Sequence, residues 1–445
     1  MKKRRRQFAQ HKVATPEHGT RSAVPQLVQI EKPVYGGTFL ARAEGKAVFV
    51  PLTLKGEWAR VRIIEEKRGY ATAEVEQIVA TSPERVAPKC KHFGGCGGCQ
   101  YQHADCSAQL AFKQAILRET LERGGLRAPE EIAVLTGDPW GYRNRIRLAF
   151  DAKGNVGYRA RRSHAVIRIE ECPIAAPLLE RAAIAVGEIV QGLAARERPD
   201  EIALFCDAEE TALLVSATVP DGRRMSLEGF AWALAEKIPE TKGVELASPG
   251  GKGRESRSVA RWGAISLVYR AAGHEYRVDQ GAFFQVNRWL VDGLVECVTD
   301  GLCGGLVWDL FAGVGLFARR LTELFGRVVA VESALAGMAA LKQNLDGTNA
   351  TAVNAATLDF LRGVRNGECP DLIVVDPPRI GLGAETTALL GAIRAPEIVY
   401  VSCDPGTLAR DLRALVASGY SILRVALADL FPQTYHLESI VRLRR

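Results

Sequence analysis

The sequence predicts an α/β protein whose last third folds as a parallel sheet covered by helices. From Phe283 onward, apolar strand-like runs alternate with helical patterns, which is typical of such a sheet. Residues 24–86 contain short β-patterns separated by glycine turns, and these predict a small barrel. Residues 87–280 combine a cysteine-rich loop, a helix predicted within 107–125, and a β-rich region. We therefore expect a barrel, a β-rich central domain and, over residues 281–445, an α/β domain.

The composition is that of an ordinary globular protein, with 47% hydrophobic and 24% charged residues. No apolar stretch approaches the ~18–20 residues that span a bilayer. The N-terminal stretch "MKKRRRQFAQHK" is basic but lacks the apolar segment of a signal peptide. These features predict a cytoplasmic protein with no membrane partner, and we expect it to be a monomer.

Positive charge is concentrated in two places. Residues 1–22 carry seven Lys and Arg against Glu17, which is +6 of the overall net charge of +7. We expect residues 1–23 to form a disordered basic tail, either simply solvated or acting as a non-specific nucleic-acid arm. In the second basic block, residues 142–168, three alternate positions are Arg143, Arg145 and Arg147. On a strand these side chains share one face, which predicts a surface that contacts phosphates.

Four of the ten cysteines have the spacing of a metal site. The stretch "CKHFGGCGGCQYQH" supplies Cys90, Cys96 and Cys99, and "EECPI" supplies Cys172. Glycines between the thiols let the backbone turn closely around a metal centre. The spacing favours an iron–sulfur cluster with a remote fourth ligand over a structural zinc site, and unrelated thiols are the third interpretation.

A glycine loop begins the α/β domain. "GLVWDLFAGVGLFARRL" reads as a strand ending near Asp309, then Gly313 and Gly315, then a helix. Glycines there let a ligand approach the carboxyl end of the strand. The next strand ends in Glu332, whose carboxylate can accept hydrogen bonds from ribose hydroxyls. A dinucleotide-binding unit fits this pattern, but the placement of Asp309 is typical of S-adenosylmethionine sites.

Two further strand ends carry carboxylates. "ATLDF" places Asp359 after the third strand, and "DLIVVDPPRIG" places Asp376 after the fourth, followed by two prolines. Pro377 and Pro378 fix a stiff turn without needing ladder hydrogen bonds. Such a turn can hold groups against a methyl donor and a flat acceptor base.

A cysteine and a glutamate complete this set. Cys403 follows the fifth strand in "IVYVSCDPGTLARDL", and Glu438 begins a final strand in "DLFPQTYHLESIVRL". Carbon 5 of uracil becomes nucleophilic if a thiolate adds to carbon 6, and it can then attack a methyl sulfonium. A base must next remove the carbon 5 proton so that the thiol can leave. Cys403 and Glu438 fit the roles of nucleophile and base, and we expect His436 to orient its loop or contact the substrate.

Taken together, these motifs resemble the uracil-5 RNA methyltransferases of the RumA/TrmA type, and more closely their iron–sulfur ribosomal RNA members. The resemblance runs from about residue 25 to the end and depends on the following stretches: "CKHFGGCGGCQYQH" with Cys172, "QGAFFQVN", "DLFAGVGLF", "VVDPPRIG", "SCDPGTLARDL" and "FPQTYHLES". It implies a Rossmann-like methyltransferase domain, a β-rich central domain, and an N-terminal OB-like β-barrel called a TRAM domain, which binds RNA. It also implies that the helix within 107–125 packs on the catalytic domain.

The resemblance assigns roles to individual residues. It implies a [4Fe–4S] cluster on Cys90, Cys96, Cys99 and Cys172, with Cys403 as nucleophile and Glu438 as base. The implied contacts to S-adenosylmethionine are Gln285, Phe311, Gly313, Glu332, Asp359 and Asp376. One departure is Leu316, where some members carry an asparagine that contacts the cofactor. The implied substrate is a uridine in 23S rRNA, with tRNA as the alternative.

Three functions other than uracil-5 methylation would each require a different residue pattern. A cytosine-5 RNA methyltransferase would carry a second cysteine after the two prolines, and an amino methyltransferase would carry an aromatic residue there. This chain has Arg379 at that position, which argues against both. A non-catalytic RNA-binding scaffold would have lost Cys403, Glu438 or the glycine loop, and all three are present.

Overall fold

The computed structural model describes residues 25–250, 257–364 and 368–445. The predicted basic tail, residues 1–23, lies outside the described residues. The chain divides into two compact units, a barrel unit that ends at Arg85 and a large unit, Val86–Arg445. None of the helices in the described ranges combines the length and the apolar character needed to cross a membrane.

The barrel unit is a closed sheet of five strands in the order β1-β2-β3-β5-β4. Its strands are β1 (Gln26–Val34), β2 (Thr38–Ala43), β3 (Lys46–Pro51), β4 (Trp58–Glu66) and β5 (Tyr70–Ala80). Along β4, buried Ala59, Val61 and Ile63 alternate with solvent-facing residues, as a strand with one face in a core requires. The buried carboxylate of Glu57 accepts hydrogen bonds from the Arg85 guanidinium at 2.6 and 2.8 Å. This ion pair ties the end of the unit back to the barrel.

The large unit begins with the cysteine loop, helix α1 (Cys106–Arg123) and the short strand β6 (Ala133–Leu135). Asp105 caps α1 by accepting a hydrogen bond from the Ala108 amide at 2.8 Å. A seven-stranded sheet follows, in the order β13-β12-β11-β10-β7-β8-β9. Its strands are β7 (Arg145–Phe150), β8 (Val156–Arg159), β9 (Val166–Arg168), β10 (Glu201–Cys206), β11 (Leu213–Thr218), β12 (Thr241–Ser248) and β13 (Arg257–Gly263). Helices α2 (Pro177–Gly192) and α3 (Leu227–Lys237) contribute to the core of this central sheet.

An eight-stranded sheet in the order β18-β17-β16-β19-β20-β22-β21-β6 forms the rest of the large unit. It is preceded by the hairpin β14 (Ser266–Ala271) and β15 (His274–Asp279). The remaining strands are β16 (Gly304–Leu310), β17 (Phe325–Glu332), β18 (Ala350–Asn354), β19 (Leu372–Val375), β20 (Glu397–Ser402), β21 (Ser421–Ala428) and β22 (Glu438–Arg444). The helices are α4 (Val291–Thr299), α5 (Leu316–Leu321), α6 (Leu335–Asn344), α7 (Thr357–Gly363), α8 (Gly383–Ile393) and α9 (Pro405–Ala417).

The directions of the strands in this sheet decide where the site lies. Strands β16 to β20 are parallel to one another, and β19 is apolar and buried throughout, as is usual for a strand inside a parallel sheet. Strand β22 runs antiparallel to β20. The strand order reverses at β16 and β19, and in open α/β sheets ligands bind outside the carboxyl ends of the strands at such a point.

Three pieces of the predicted central domain pack with this last sheet or its helices. Strand β6 pairs in parallel with β21, and helix α1 lies against α9. The hairpin β14–β15 also joins its core, through buried Tyr269 and Tyr276. A three-residue strand such as β6 has too short a pattern to be predicted from the sequence.

Candidate active site and cysteine loop

The glycine loop between β16 and α5 has an unusual backbone. Gly313 and Gly315 have φ angles of +57° and +92°, which glycine adopts without a steric penalty. A Cβ on Gly315 would lie 2.8 Å from Leu341 Cδ1, so a larger residue does not fit. Phe311 also has a positive φ, +66°, and residues other than glycine keep this conformation only where the surroundings impose it, commonly at functional sites.

Glu332, at the end of β17, holds this loop. Its Oε2 accepts a hydrogen bond from the Gly313 amide at 2.8 Å, and its Oε1 accepts from the Ser333 and Ala334 amides at 2.6 Å. A carboxylate offers about four lone-pair sites, so one of them remains for a ligand hydroxyl. The predicted ligand contact and the loop support are therefore compatible.

Asp309 lies beneath the loop with a fully buried carboxyl group. Within the described ranges, neither of its carboxylate oxygens has a partner with good hydrogen-bond geometry, although the Ala318 backbone amide is near enough to lower its pKa in part. Burial, with Asp376 and Glu332 nearby, raises the pKa of Asp309 to about 7. A buried acceptor without a donor is costly, and a ligand that carries positive charge and N–H donors would relieve this cost. The site therefore fits S-adenosylmethionine, which has both.

Cys403 and Glu438 meet because their strands are antiparallel. The β20–β22 ladder ends at the pair Ser402 and Ser439, so one step further Cys403 comes opposite Glu438. Opposite residues of an antiparallel pair point to the same face with their Cβ atoms about 4.5–5.5 Å apart. Asp376 follows the neighbouring strand β19 at the same edge of the sheet. The structure thus brings all three predicted residues together.

Burial and crowding of carboxylates set the protonation of this cluster. Burial, with Glu438 and Asp376 nearby, raises the pKa of Cys403 to about 11, against the opposing charge of Arg379. Burial also raises the pKa of Asp376 to about 7, and burial beside Asp376 raises the pKa of Glu438 well above its ordinary value. In the absence of substrate the thiol is therefore protonated at neutral pH, and Arg379 is the neighbouring group that favours its thiolate.

Arg379 also contacts His436. Its Nη2 donates a hydrogen bond to His436 Nδ1 at 3.3 Å. Burial, together with the charges of Arg379, Lys113 and Arg143, lowers the pKa of His436 to about 4. The imidazole is therefore neutral at physiological pH, with its proton on Nε2. A neutral imidazole with this fixed tautomer is suited to orienting a partner.

The other predicted ligand contacts lie at different depths. Gln285 is buried between β15 and α4, where its backbone oxygen accepts a hydrogen bond from Asn144 Nδ2 at 2.9 Å. Asp359 lies in the first turn of α7 with 68% of its side chain exposed, 3.4 Å from Arg362. The structure therefore leaves Asp359 at the open rim, while the glycine loop is more enclosed.

The four predicted metal-binding cysteines line one cavity. Cys90, Cys96, Cys99 and Cys172 surround a space of ≈ 340 Å³. The loop is tight, since a Cβ on Gly97 would lie 3.1 Å from the Arg159 carbonyl oxygen. Across the described ranges, no three His, Cys, Asp or Glu side chains are grouped to hold a single metal ion. Four thiols around a space larger than one ion fit a multinuclear cluster, which thiolates bind.

The prediction that Arg143, Arg145 and Arg147 together form a phosphate-binding surface is wrong for Arg145. Arg143, Arg145 and Arg147 do alternate with buried residues. However, the Arg145 guanidinium lies 4.1 Å from the centre of the Phe205 ring and donates a hydrogen bond to the Ala282 oxygen at 2.8 Å. It stacks on its own sheet and is unavailable to phosphates, because planar guanidinium groups stack well on aromatic rings. Arg143 and Arg147 line the cysteine cavity, where Arg147 pairs with Glu201 at 3.0 Å.

The sequence did not predict the residues that support the site from α1. Lys113 Nζ lies 2.6 Å from Asp429 Oδ1 with both side chains buried, and Gln109 forms hydrogen bonds with Gln433. A lysine at an apolar-face position of the helix, next to Phe112 and one turn from Leu117, is a detectable signal for Lys113. Its partner is 316 residues away, and no local pattern identifies it.

Several known proteins similar to this chain are named as RNA methyltransferases. The family model described as tRNA (Uracil-5-)-methyltransferase matches residues 265–445, and the TRAM domain model matches residues 25–75. The 23S rRNA (uracil(1939)-C(5))-methyltransferase RlmD of Chromohalobacter salexigens is 34% identical over 94% of this chain and 89% of its own length. An RNA methyltransferase of Streptomyces avermitilis, described as uncharacterized, is 33% identical over 93% of this chain and 96% of its own length.

A solved structure supports the same fold. The crystal structure of Pyrococcus abyssi tRNA (uracil-54, C5)-methyltransferase in complex with S-adenosyl-L-homocysteine has a TM-score of 0.74 and 24% identity, covering 95% of this chain and 100% of that one. The predicted fold class, a Rossmann-like domain with a β-rich central domain and an N-terminal TRAM barrel, is confirmed.

Proposed function

Since the chain belongs to the family of S-adenosylmethionine-dependent uracil-5 RNA methyltransferases, we propose that it methylates carbon 5 of one uridine in 23S rRNA. The relatives that are 33–34% identical to it along nearly its whole length support this substrate, because several carry the name 23S rRNA (uracil(1939)-C(5))-methyltransferase. We place the modified uridine at the position equivalent to uracil 1939.

Cys403 is the nucleophile of the proposed reaction and Glu438 its base. The Cys403 thiol first releases its proton to solvent, and the resulting thiolate, which the Arg379 charge favours, forms a bond to carbon 6 of the ring. Carbon 5 then takes an electrophilic methyl group from the sulfonium of the donor, which leaves as a thioether. Glu438 in its carboxylate form, made more basic by its raised pKa, then removes the carbon 5 proton, the ring double bond re-forms and the bond from sulfur to carbon 6 breaks, which releases the thiolate. The observation that carries this proposal is the placement of Cys403 opposite Glu438 beside Asp376.

Two variants test the covalent mechanism. Cys403→Ala should abolish methyl transfer while RNA binding survives, and residual turnover would contradict covalent catalysis. Glu438→Gln should accumulate an RNA–protein adduct, seen as a band that resists denaturation, because the last step stops. Cys369→Ala is the matched control, since this exposed cysteine lies away from the site.

We also propose that Cys90, Cys96, Cys99 and Cys172 hold a [4Fe–4S] cluster. Support comes from the four thiols around one cavity and from the cysteine-rich loop that joins three of them. Protein purified without oxygen should be brown, with about four irons per chain. A colourless protein with one zinc would overturn this proposal.

The methyl donor is assigned to Gln285, Phe311, Gly313, Glu332, Asp359 and Asp376. Asp309 joins this set because, among the described residues, no donor has good hydrogen-bond geometry to its buried carboxylate. Calorimetric titration with S-adenosylhomocysteine measures each contribution. Glu332→Gln should weaken binding more than Asp359→Asn, since Glu332 also holds the Gly313 amide.

A tRNA substrate is the second candidate, because the matched family model is described by a tRNA activity. Mapping 5-methyluridine in ribosomal and transfer RNA from cells with and without the gene decides between the two. Loss of the mark from 23S rRNA alone supports the proposal, and loss from tRNA alone contradicts it. Sedimentation of the purified protein tests the predicted monomer.

A further inference from the structure

The nine residues between β21 and β22 lead directly into the proposed base Glu438. This segment, residues 429–437, has no regular structure and is mostly buried. Buried backbone outside helices and sheets needs hydrogen-bond partners from elsewhere in the protein. The identity of those partners therefore decides what fixes the start of β22.

Gln433, in the middle of this segment, forms hydrogen bonds with residues more than 300 positions earlier in the sequence. Only 2% of it is exposed, and its φ is +68°, a left-handed conformation rare for residues with a side chain. Its backbone oxygen accepts hydrogen bonds from the Gln100 and Tyr101 amides, both at 3.0 Å. Cys99, one of the four cysteines, directly precedes these two donors.

Gln109 on α1 completes the contacts of Gln433. Its Oε1 accepts a hydrogen bond from the Gln433 backbone amide at 2.9 Å, and its Nε2 donates to the Gln433 side-chain oxygen at 3.0 Å. The same Nε2 donates to the Ala104 oxygen at 2.9 Å. One buried amide therefore ties the end of the cysteine loop to the middle of the segment, and a strained φ persists because these contacts over-determine it.

Other contacts hold the two residues before Gln433 independently of its side chain. Lys113 Nζ donates to the Phe431 oxygen at 2.9 Å, and Tyr142 Oη donates to the Pro432 oxygen at 3.1 Å. Loss of the Gln433 side chain should therefore displace the segment without unfolding it.

We infer that Gln433 is a positioning residue for the base Glu438, through which the cysteine loop and α1 fix the start of β22. This inference rests on the proposed function, because it assigns the proton-abstraction role to Glu438. Misplacement of a catalytic group by about 1 Å costs on the order of 10²-fold in rate. The defect should appear in the step that Glu438 performs and leave RNA binding intact.

Gln433→Gly tests this inference, because glycine keeps the left-handed backbone and removes only the side chain. Gln109→Ala removes the same amide pairing from the opposite side. Gln114→Ala is the matched control on α1, since its side chain donates to the Ile132 oxygen instead. Single-turnover kinetics, KM for the RNA and the fraction of denaturation-resistant adduct are measured for each.

We expect both test variants to lose on the order of 10²-fold in kcat, with KM changed by less than about threefold and with more trapped adduct than the wild type. The control should behave as the wild type. A fall in kcat without adduct, or a rise in KM equal to the loss, would overturn the positioning role. Glu438→Gln separates the two proposals: if it traps adduct and Gln433→Gly does not, only this inference fails, whereas if Glu438→Gln traps none, the proposed mechanism fails.

Discussion

Replacing Lys113 with methionine should destabilise the large unit strongly. The Lys113 side chain is 0% exposed and that of Asp429 5%, and their charged atoms lie 2.6 Å apart. Methionine keeps much of the length and volume of the side chain but leaves the Asp429 carboxylate buried without its cation. Breaking a buried pair in this way costs about 3–5 kcal/mol.

The size of the unit converts this loss into a melting shift. At about 2.1 cal/mol/K per residue, unfolding of Val86–Arg445 has an entropy of about 0.75 kcal/mol/K near its melting temperature. The predicted loss therefore corresponds to a fall of about 4–7 °C in Tm. Adding Asp429→Asn removes the unpaired charge and leaves only neutral polar groups unsatisfied, which costs about 1–3 kcal/mol.

Calorimetry and urea unfolding of the single and double variants measure both quantities. Lys237→Met is the control, because its pair with Glu188 is exposed to solvent and should contribute little to stability. If Lys113→Met costs less than about 1 kcal/mol, or the double variant is less stable than the single one, then the ion pair is not desolvated as its burial indicates.

Three further predictions follow from the geometry of the site. Arg379→Gln removes the cation that opposes the raised pKa of Cys403, so the thiolate-dependent rise of kcat/KM should move to higher pH; an unchanged profile would contradict this. Gly315→Val places a Cβ 2.8 Å from Leu341 Cδ1 at a φ of +92°, and should weaken S-adenosylhomocysteine binding at least about tenfold by calorimetry. Burial raises the folded pKa of Asp309 to about 7, so its contribution to stability is present below the unfolded pKa and is lost as pH rises through 7. Relative to the wild type, ligand-free Asp309→Asn should therefore gain on the order of 2–3 kcal/mol between pH 5 and pH 8, and a pH-independent difference would refute the assignment.

The sequence contained the reactive groups because each lies at a recognisable place in a local pattern. Asp376 and Cys403 directly follow apolar strands, and Gly313 lies between a strand and a helix. The fold class follows from the same patterns. Arg145 shows the limit of this reasoning, since strand alternation gives the face of a residue but not whether its side chain folds back onto Phe205.

The supporting contacts could not be predicted, because their partners are far apart in the sequence. Gln109 and Gln433 are separated by 324 residues, and Lys113 and Asp429 by 316. For each residue of such a pair, the neighbouring sequence does not identify the distant partner. Local sequence patterns therefore predict a candidate nucleophile more readily than they predict the long-range contacts that position its proposed base.

The reversed direction of β22 is what brings the proposed nucleophile and base together. In a parallel strand, the residues at the carboxyl edge of the sheet are those that follow the end of the strand, as Cys403 follows β20. An antiparallel strand starts at that same edge, so its first residue, Glu438, lies beside Cys403 and is anchored by the ladder that follows it. An apolar run has no sequence signal for direction, which is why "ESIVRLR" predicts a strand but not its orientation. The β22 ladder therefore fixes the backbone that follows Glu438, the proposed base. The irregular segment before Glu438 is fixed by the contacts of Gln433 and Lys113 with the rest of the large unit.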